Sequence, residues 1–236
     1  MNENDVKKSE NNSEIEERIL KIVKRSIQGV SDLLDRTKTD AYIEKEIYQI
    51  SDNHSFVKAK ANAFGIEKLQ LSFVEFDTNN KSKGNIDIFL SFGEALALSN
   101  DIISGKLYKL MQQEKAKGEK YPDASYNSPL GGINEQKCKE RNLRTDGKAI
   151  SRTFSIGAGS KADVIFTAMQ RPGSSAQNGL IVPDKVNPEV VIRVPCSFKM
   201  LKEFALMINA NIQAFLSSQY SRNAYLLKKD NTQKGQ

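Results

Sequence analysis

Between residues 14 and 36 the apolar residues Ile15, Ile19, Ile22, Val23, Ile27, Val30 and Leu34 recur at steps of three and four, with charged residues between them. The pattern predicts one amphipathic helix, with Ser13 placed to cap its first turn. Ile43, Ile47 and Ile50 make a second short stripe, which predicts a helix over 41–50. Past Asn53 the period drops to two. Residues 56–64 set Val57, Ala59, Ala61 and Ala63 against Lys58, Lys60 and Asn62, and residues 68–77 set Leu69, Leu71 and Phe73 against Gln70, Ser72 and Val74. Residues 85–92 set Ile86, Ile88 and Leu90 against Asp87 and Phe89. Three neighbouring antiparallel strands are predicted, turning near Gly65 and across 78–84. From Gly93 the helical period returns, with Leu96, Ile103, Leu107 and Leu110 available to cover one face of that sheet.

Residues 114–149 interrupt the pattern with Lys-Gly, Tyr-Pro, Ser-Pro and Gly-Gly pairs and with Lys115, Lys117, Lys120, Lys137, Lys139, Arg141, Arg144 and Lys148. They read as a basic, flexible linker or functional arm. Strands are predicted again over 152–158 and 162–171, joined by Gly157-Ala158-Gly159-Ser160-Lys161 and followed by a Pro172-Gly173 turn. A short strand over 179–183 and a clear one over 189–194 come next. A helix over 197–227 then shows Leu201, Phe204, Ala205, Ile208, Ile212, Phe215 and Leu216 on one stripe. The order of strands then helix thus occurs twice, as a repeat of pattern rather than of residues, and the two halves are expected to cover each other's apolar surfaces. The expected fold class is α+β, two antiparallel sheet-plus-helix repeats with an extra N-terminal helix. Its parts are a disordered tail over 1–13, a helical segment over 14–52, and a duplicated domain over 53–227. That domain divides into a first half over 53–113, the linker over 114–149 and a second half over 150–227, with a tail over 228–236.

Composition narrows the function. The 236 residues, 39% hydrophobic and 27% charged, place the chain with folded globular proteins large enough to bury a core. A net charge of +6 favours a polyanionic partner, and the excess lies late in the chain: 153–236 hold ten Lys or Arg against five Asp or Glu, whereas 51–110 hold seven of each. Cys138 and Cys196 stand far apart without metal-site spacing, so reduced thiols and no metal or cofactor are expected. The polar start of the chain resembles neither a secretory signal nor a transit peptide, and no apolar run is long enough to span a bilayer, which makes the cytoplasm the expected address.

Catalytic constellations are not recognisable. His54 is the single histidine and sits in a polar turn, with no nucleophile or metal motif around it. The glycine loop at 157–161 runs into a strand rather than opening a helix, so a hairpin turn is expected and not a phosphate loop, although Lys161 can still meet a phosphate. The informative set mixes cations and rings along strands. Lys58, Lys60 and Asn62 share a face with Phe56 and Phe64 in the twofold pattern, and Lys161, Arg171 and Arg193 form a second set. Such a surface attracts phosphates and offers faces on which bases stack; a solvated sheet face with charges that blunt its edges has the same composition.

Two stretches then resemble a known family. Lys58-Ala59-Lys60-Ala61-Asn62-Ala63 is similar to the Lys-Gly-Lys-Ala-Ala-Leu strand motif of the Whirly single-stranded DNA-binding proteins, with Ala59 in place of the glycine and Asn62-Ala63 in place of the final pair. Val194-Pro195-Cys196-Ser197-Phe198-Lys199, continuing to Glu203-Phe204-Ala205, resembles that family's passage from strand through proline into helix, with extra residues before Glu203. The positive cofactor four coactivators, with one such unit per chain, are a more distant likeness. The resemblance implies a four-strand-plus-helix unit occurring twice, so a fourth strand of the first unit is to be sought in 37–56 or in the linker. It also implies binding of single-stranded DNA or RNA along sheet edges with little sequence preference, Lys58 and Lys60 in contact with the strand, and assembly into dimers or tetramers. The expected function is therefore non-enzymatic single-stranded nucleic-acid binding in replication, recombination, transfer or transcription. The alternative is a structural or assembly protein of a phage, plasmid or other mobile element.

Overall fold

Strand alternation in the first half produces a four-stranded antiparallel sheet in the computed structural model, which describes residues 45–233 other than 80 and 121. The expected tail over 1–13 and helix over 14–36 lie outside the described residues. The sheet is a meander of β1 (Glu46–Ser51), β2 (Ser55–Lys60), β3 (Lys68–Phe76) and β4 (Ser82–Ser91) in spatial order. Cross-strand register sets Ile50, Val57, Phe73 and Ile86 in one row and Ala59, Leu71 and Ile88 in the next, and these side chains are the buried face. A capping box closes the start of α1 (Phe92–Ile103): the Ser91 hydroxyl accepts the Glu94 N–H and the Glu94 carboxylate accepts the Ser91 N–H. Gly105, at φ 78, breaks the run before α2 (Lys106–Ala116), so the single helix expected from Gly93 is two.

The second sheet is also antiparallel. Its order is β10 (Val190–Cys196), β8 (Val164–Ser175), β7 (Ala149–Ala158), β5 (Ala124–Asn127), with β6 (Gly132–Ile133) paired to β7 and β9 (Ile181–Pro183) paired to β8. Ser197 caps α4 (Phe198–Gln233), its hydroxyl accepting the Met200 N–H. At 36 residues this helix runs about 54 Å. The architecture is therefore α+β, with a four-strand path followed by helix occurring twice.

Inner faces of the two sheets pack together. β10 touches β1, β2, β3 and β4, so it crosses the strands of the first sheet, and β4 in turn meets β7 and β8. At the crossing the Ser55 hydroxyl donates to the Arg193 carbonyl on β10 at 2.7 Å, satisfying an edge-strand acceptor that packing has cut off from water. Gly84 sits where β4 meets β10, and a Cβ there would approach Val190 Cγ1 to 3.1 Å. Rings bind the layers: Phe73 lies 5.7 Å from Phe154 and 6.4 Å from Phe166, and Phe166 lies 5.7 Å from Phe204 of α4.

Several expectations need correction. The helix expected over 41–50 gives way to β1, the fourth strand of the first sheet, from Glu46 onward. The stretch 114–149 is not a flexible linker: it holds the end of α2, β5, β6 and α3 (Glu135–Glu140). Asn134 caps α3 by accepting the Lys137 N–H, Cys138 is buried beneath it, and the Ser128 hydroxyl accepts the Phe154 N–H at 2.9 Å. β5 thereby becomes the outer strand of the second sheet, so that repeat begins within the supposed linker. Pro172-Gly173 is no turn but lies inside β8, where a Cβ on Gly173 would come within 2.5 Å of the Val182 carbonyl on β9. The tail expected over 228–236 is helical through Gln233.

Phe166 is fully buried at the junction of both sheets and α4. Phe166→Ala is expected to cost about 3–5 kcal/mol in a denaturant titration. A loss below about 1 kcal/mol would show that the sheets are not held through this ring.

Candidate functional site

With the inner faces consumed, function falls to the outer faces. On the first sheet these carry the rows Ser51, Phe56, Val74, Asn85, then Gln49, Lys58, Ser72, Asp87, then Lys60, Gln70, Phe89. Phe89 is 47% exposed on the edge strand. Asp87 accepts from the Ser72 hydroxyl and from the Gln70 amide at 3.1 Å, a polar ladder that sequence reading did not single out. Lys58 is 19% exposed, forms an ion pair with Glu46 at 2.9 Å and stands 5.1 Å above the Phe56 ring, which also meets Phe76 at 5.5 Å. The Glu46 carboxylate is itself 39% exposed, so solvent reaches this pair.

Of the three remaining candidates from the first half, two fare differently from their expectation. Lys60 is buried, with 9% of its surface exposed, and is not an open cation. Phe64 leaves the face altogether: β2 ends at Lys60, and a 3-10 turn over Phe64–Ile66 swings the ring into the core, 4.9 Å from Phe92 and 5.3 Å from Phe215. It cannot stack on a base. Asn62 is exposed, and its side-chain oxygen accepts the Lys45 N–H. His54 is exposed in the β1–β2 turn.

The second sheet offers a different surface. Register places Asn127, Ser155, Thr167 and Arg193 in one row that crosses β5, β7, β8 and β10, and all four are exposed or half-buried. Beside it run Thr153, Met169 and Val191 on one side and Gly157, Ile165 and Pro195 on the other, and these rows contain no carboxylate. Arg171 lies on the same face opposite Ser151, its guanidinium reaching along β8 to Met169 Sδ at 3.5 Å. The Arg171 Nε and the Ser151 hydroxyl are both buried without a partner among the described residues. Lys161 is exposed at the tip of the β7–β8 turn, which confirms the loop at 157–161 as a hairpin connection. The structure thus gathers Arg171 and Arg193 on one face with Lys161 at its end, and sets Lys58 on the other sheet.

Electrostatic clamps hold the border of this face. Arg144, in the stretch read as a linker, donates to both oxygens of Glu189 at 2.8 and 2.7 Å and to both of Asp146 at 2.9 and 2.6 Å. The hydrogen bonds from Arg144 hold the Asp146 carboxyl well below the usual carboxylate range, and the bonds it donates to Asp146 and then to Glu189 raise the guanidinium further. Lys148 reaches Asp184 at 2.6 Å, and Glu135 accepts both the N–H and the hydroxyl of Ser175, which lowers its own pKa. Burial pushes the Cys196 thiol and the Tyr126 hydroxyl up to about 12, which leaves both protonated at neutral pH. Among the described residues no group of three or more His, Cys, Asp or Glu is placed to hold a metal ion, and no helix is long and apolar enough to cross a membrane.

Fold and surface together define an α+β protein of two helix-backed antiparallel sheets whose free faces differ in charge. No family model matches the sequence, and no curated protein does. Among solved structures the chain is similar to the plant transcriptional regulator PBF-2, a Whirly protein, with a TM-score of 0.42 and 10% identity over 75% of this chain and 86% of that one.

A group whose folded pKa is depressed stabilises the fold above its unfolded pKa and loses that contribution as pH falls. Asp146→Asn is therefore expected to lower the melting temperature at pH 7, with the gap to the wild type narrowing below about pH 4, where the unfolded carboxylate takes up its proton while the folded one stays ionised. A gap that stays constant from pH 7 to pH 3 would show that the pairing with Arg144 contributes nothing.

Proposed function

We propose that the protein binds single-stranded nucleic acid, DNA in the first instance, without catalysis and with little sequence preference. The observation that carries this reading is the acid-free row of Asn127, Ser155, Thr167 and Arg193 across the second sheet, with Arg171 on the same face. Guanidinium groups meet phosphates bidentately, while hydroxyls and amides donate to phosphate and sugar oxygens irrespective of base. An open sheet face fits a strand whose bases are unstacked and whose backbone is free to follow it, which a duplex cannot do without losing most of these contacts. Lys58 and the exposed Phe89 supply a secondary surface on the first sheet, where a phosphate would have to displace Glu46 from Lys58. Lys161 continues the basic path at the hairpin tip, and Asn62 borders the first sheet.

Assembly of copies belongs to the same reading. Leu206 and Met207 are 46% and 40% exposed on α4, and an apolar helix surface of this kind is what a second copy would cover. Light scattering on the full chain is expected to give a dimer or tetramer, reduced toward monomer by Leu206→Glu with Met207→Glu. A wild-type monomer at tens of micromolar would rule assembly out.

Fluorescence anisotropy tests the binding surface. The wild type is expected to prefer an unstructured oligonucleotide to a duplex of equal length, and to bind more weakly as salt rises. Arg193→Ala is expected to flatten the plot of log affinity against log salt by about 0.7, the value of one phosphate contact on a single strand, with melting temperature unchanged. Equal affinity for duplex, or an unchanged slope in the variant, overturns the proposed surface.

A further inference from the structure

Two polar atoms on the outer face of the second sheet are buried without a partner, and they belong to one register pair. Ser151 on β7 stands opposite Arg171 on β8, and neither the Ser151 hydroxyl nor Arg171 Nε bonds to a described residue. Ser151 is 2% exposed. Its other neighbours on that face are small: Ala149 and Thr153 along β7, and Gly132 across on β6, where a Cβ would run into the Ile150 carbonyl. Arg171 is therefore the one long side chain directly beside the hydroxyl. The guanidinium is itself poorly satisfied. Among the described residues its one hydrogen bond runs from Nη2 to the Met169 thioether at 3.5 Å, and a thioether is a weak acceptor. Leaving a buried donor unbonded is costly, most of all on a charged group, so the pair favours an anionic acceptor that reaches both donors. Glu189, the carboxylate that immediately precedes β10, does not fill that role, because both of its oxygens accept from Arg144.

We propose that Ser151 and Arg171 form a phosphate subsite of this face, closed in the free protein by the contact between Arg171 and Met169. A phosphate of the bound strand accepts from Arg171 Nε and from the Ser151 hydroxyl, and in doing so draws the guanidinium off the thioether. Both donors are buried, so the subsite opens only as Arg171 turns outward. Met169 is then uncovered in its row between Thr153 and Val191, and its polarisable sulfur offers an apolar surface on which a base of any identity packs. The inference rests on the nucleic-acid reading and deepens it, since it names the pair that takes a phosphate and the side chain that takes the adjoining base. Guanidinium and hydroxyl donors read the phosphate without reading the base, in keeping with little sequence preference.

Two measurements on the full-length protein test it. In methyl-resolved NMR with labelled methionine, where Met169→Leu identifies the Met169 signal, inorganic pyrophosphate is expected to shift that signal in the wild type and not in Arg171→Ala. In anisotropy with an oligothymidylate of about 16 nucleotides, Arg171→Ala is expected to flatten the salt slope by about 0.7. Ser151→Ala is expected to keep the slope and lower affinity about tenfold, the effect of one hydrogen bond to a charged group. Its melting temperature is expected to equal or exceed that of the wild type, because the variant removes an unbonded buried hydroxyl, whereas a serine with a purely structural role would lower it. A Met169 signal that pyrophosphate leaves in place, or a Ser151→Ala variant that binds as the wild type does or melts at a lower temperature, overturns the subsite. A wild type that binds no oligonucleotide while pyrophosphate still shifts Met169 overturns the nucleic-acid reading alone and leaves the pair as an anion site.

Discussion

Six rings run in successive contact through the molecule, from Tyr48 on β1 to Phe204 on α4, Phe166 on β8, Phe73 on β3, Phe154 on β7 and Tyr126 on β5, at centroid spacings between 5.5 and 6.4 Å. Because every consecutive pair but the last, Phe154 with Tyr126, joins different sheets or a sheet to the helix, neither half can form this chain alone. Burial of large rings is the main favourable term in a core of this size, and here it is also the term that joins the two units. The Tyr48 hydroxyl ends the series with a 2.7 Å hydrogen bond to Glu203, which raises its pKa and fastens α4 to the first sheet. Once the inner faces are committed in this way, alternation along each strand dictates what remains outside.

That alternation was legible in the residues wherever a strand is regular. β2, β3, β4, β7, β8 and β10 each coincide over most of their length with a stretch of clear twofold period, and so do their buried sides, although β4 and β8 run on into residues that read as turns. β1 was not legible, for a geometric reason: an irregularity between Glu46 and Tyr48 shifts its register, so the buried residues are Ile47 and Ile50, three apart, the spacing of a helix. Phe64 misled in the same manner, since nothing in its composition shows that the strand ends at Lys60 and that a turn reverses the face.

The stretch over 114–149 failed for another reason. Its order comes from partners distant in sequence: Ser128 with Phe154, Glu135 with Ser175, Arg144 with Glu189, Lys148 with Asp184. Locally it has the glycines, prolines and lysines of a loop, and only the presence of the second sheet turns it into structure. The same cause hid the acid-free face, because Asn127, Ser155, Thr167 and Arg193 are ordinary polar residues until register aligns them.

Charge separates the two outer faces more sharply than the total does. On the first sheet Lys58 and Lys60 stand with Glu46 and Asp87, so two cations meet two anions and the face is balanced. On the second sheet Arg171 and Arg193 have no acidic neighbour in their rows, and the carboxylate that immediately precedes β10, Glu189, is bonded through both oxygens to Arg144. Arg144 therefore does more than order the chain around it: it offsets part of the charge of Glu189 and Asp146, the two carboxylates it binds at the border of that face. A polyanion responds to the local field rather than to the net charge of +6, and it is on this ground that the proposed function rests on the second sheet and not on the Lys58 strand to which the sequence motif drew attention.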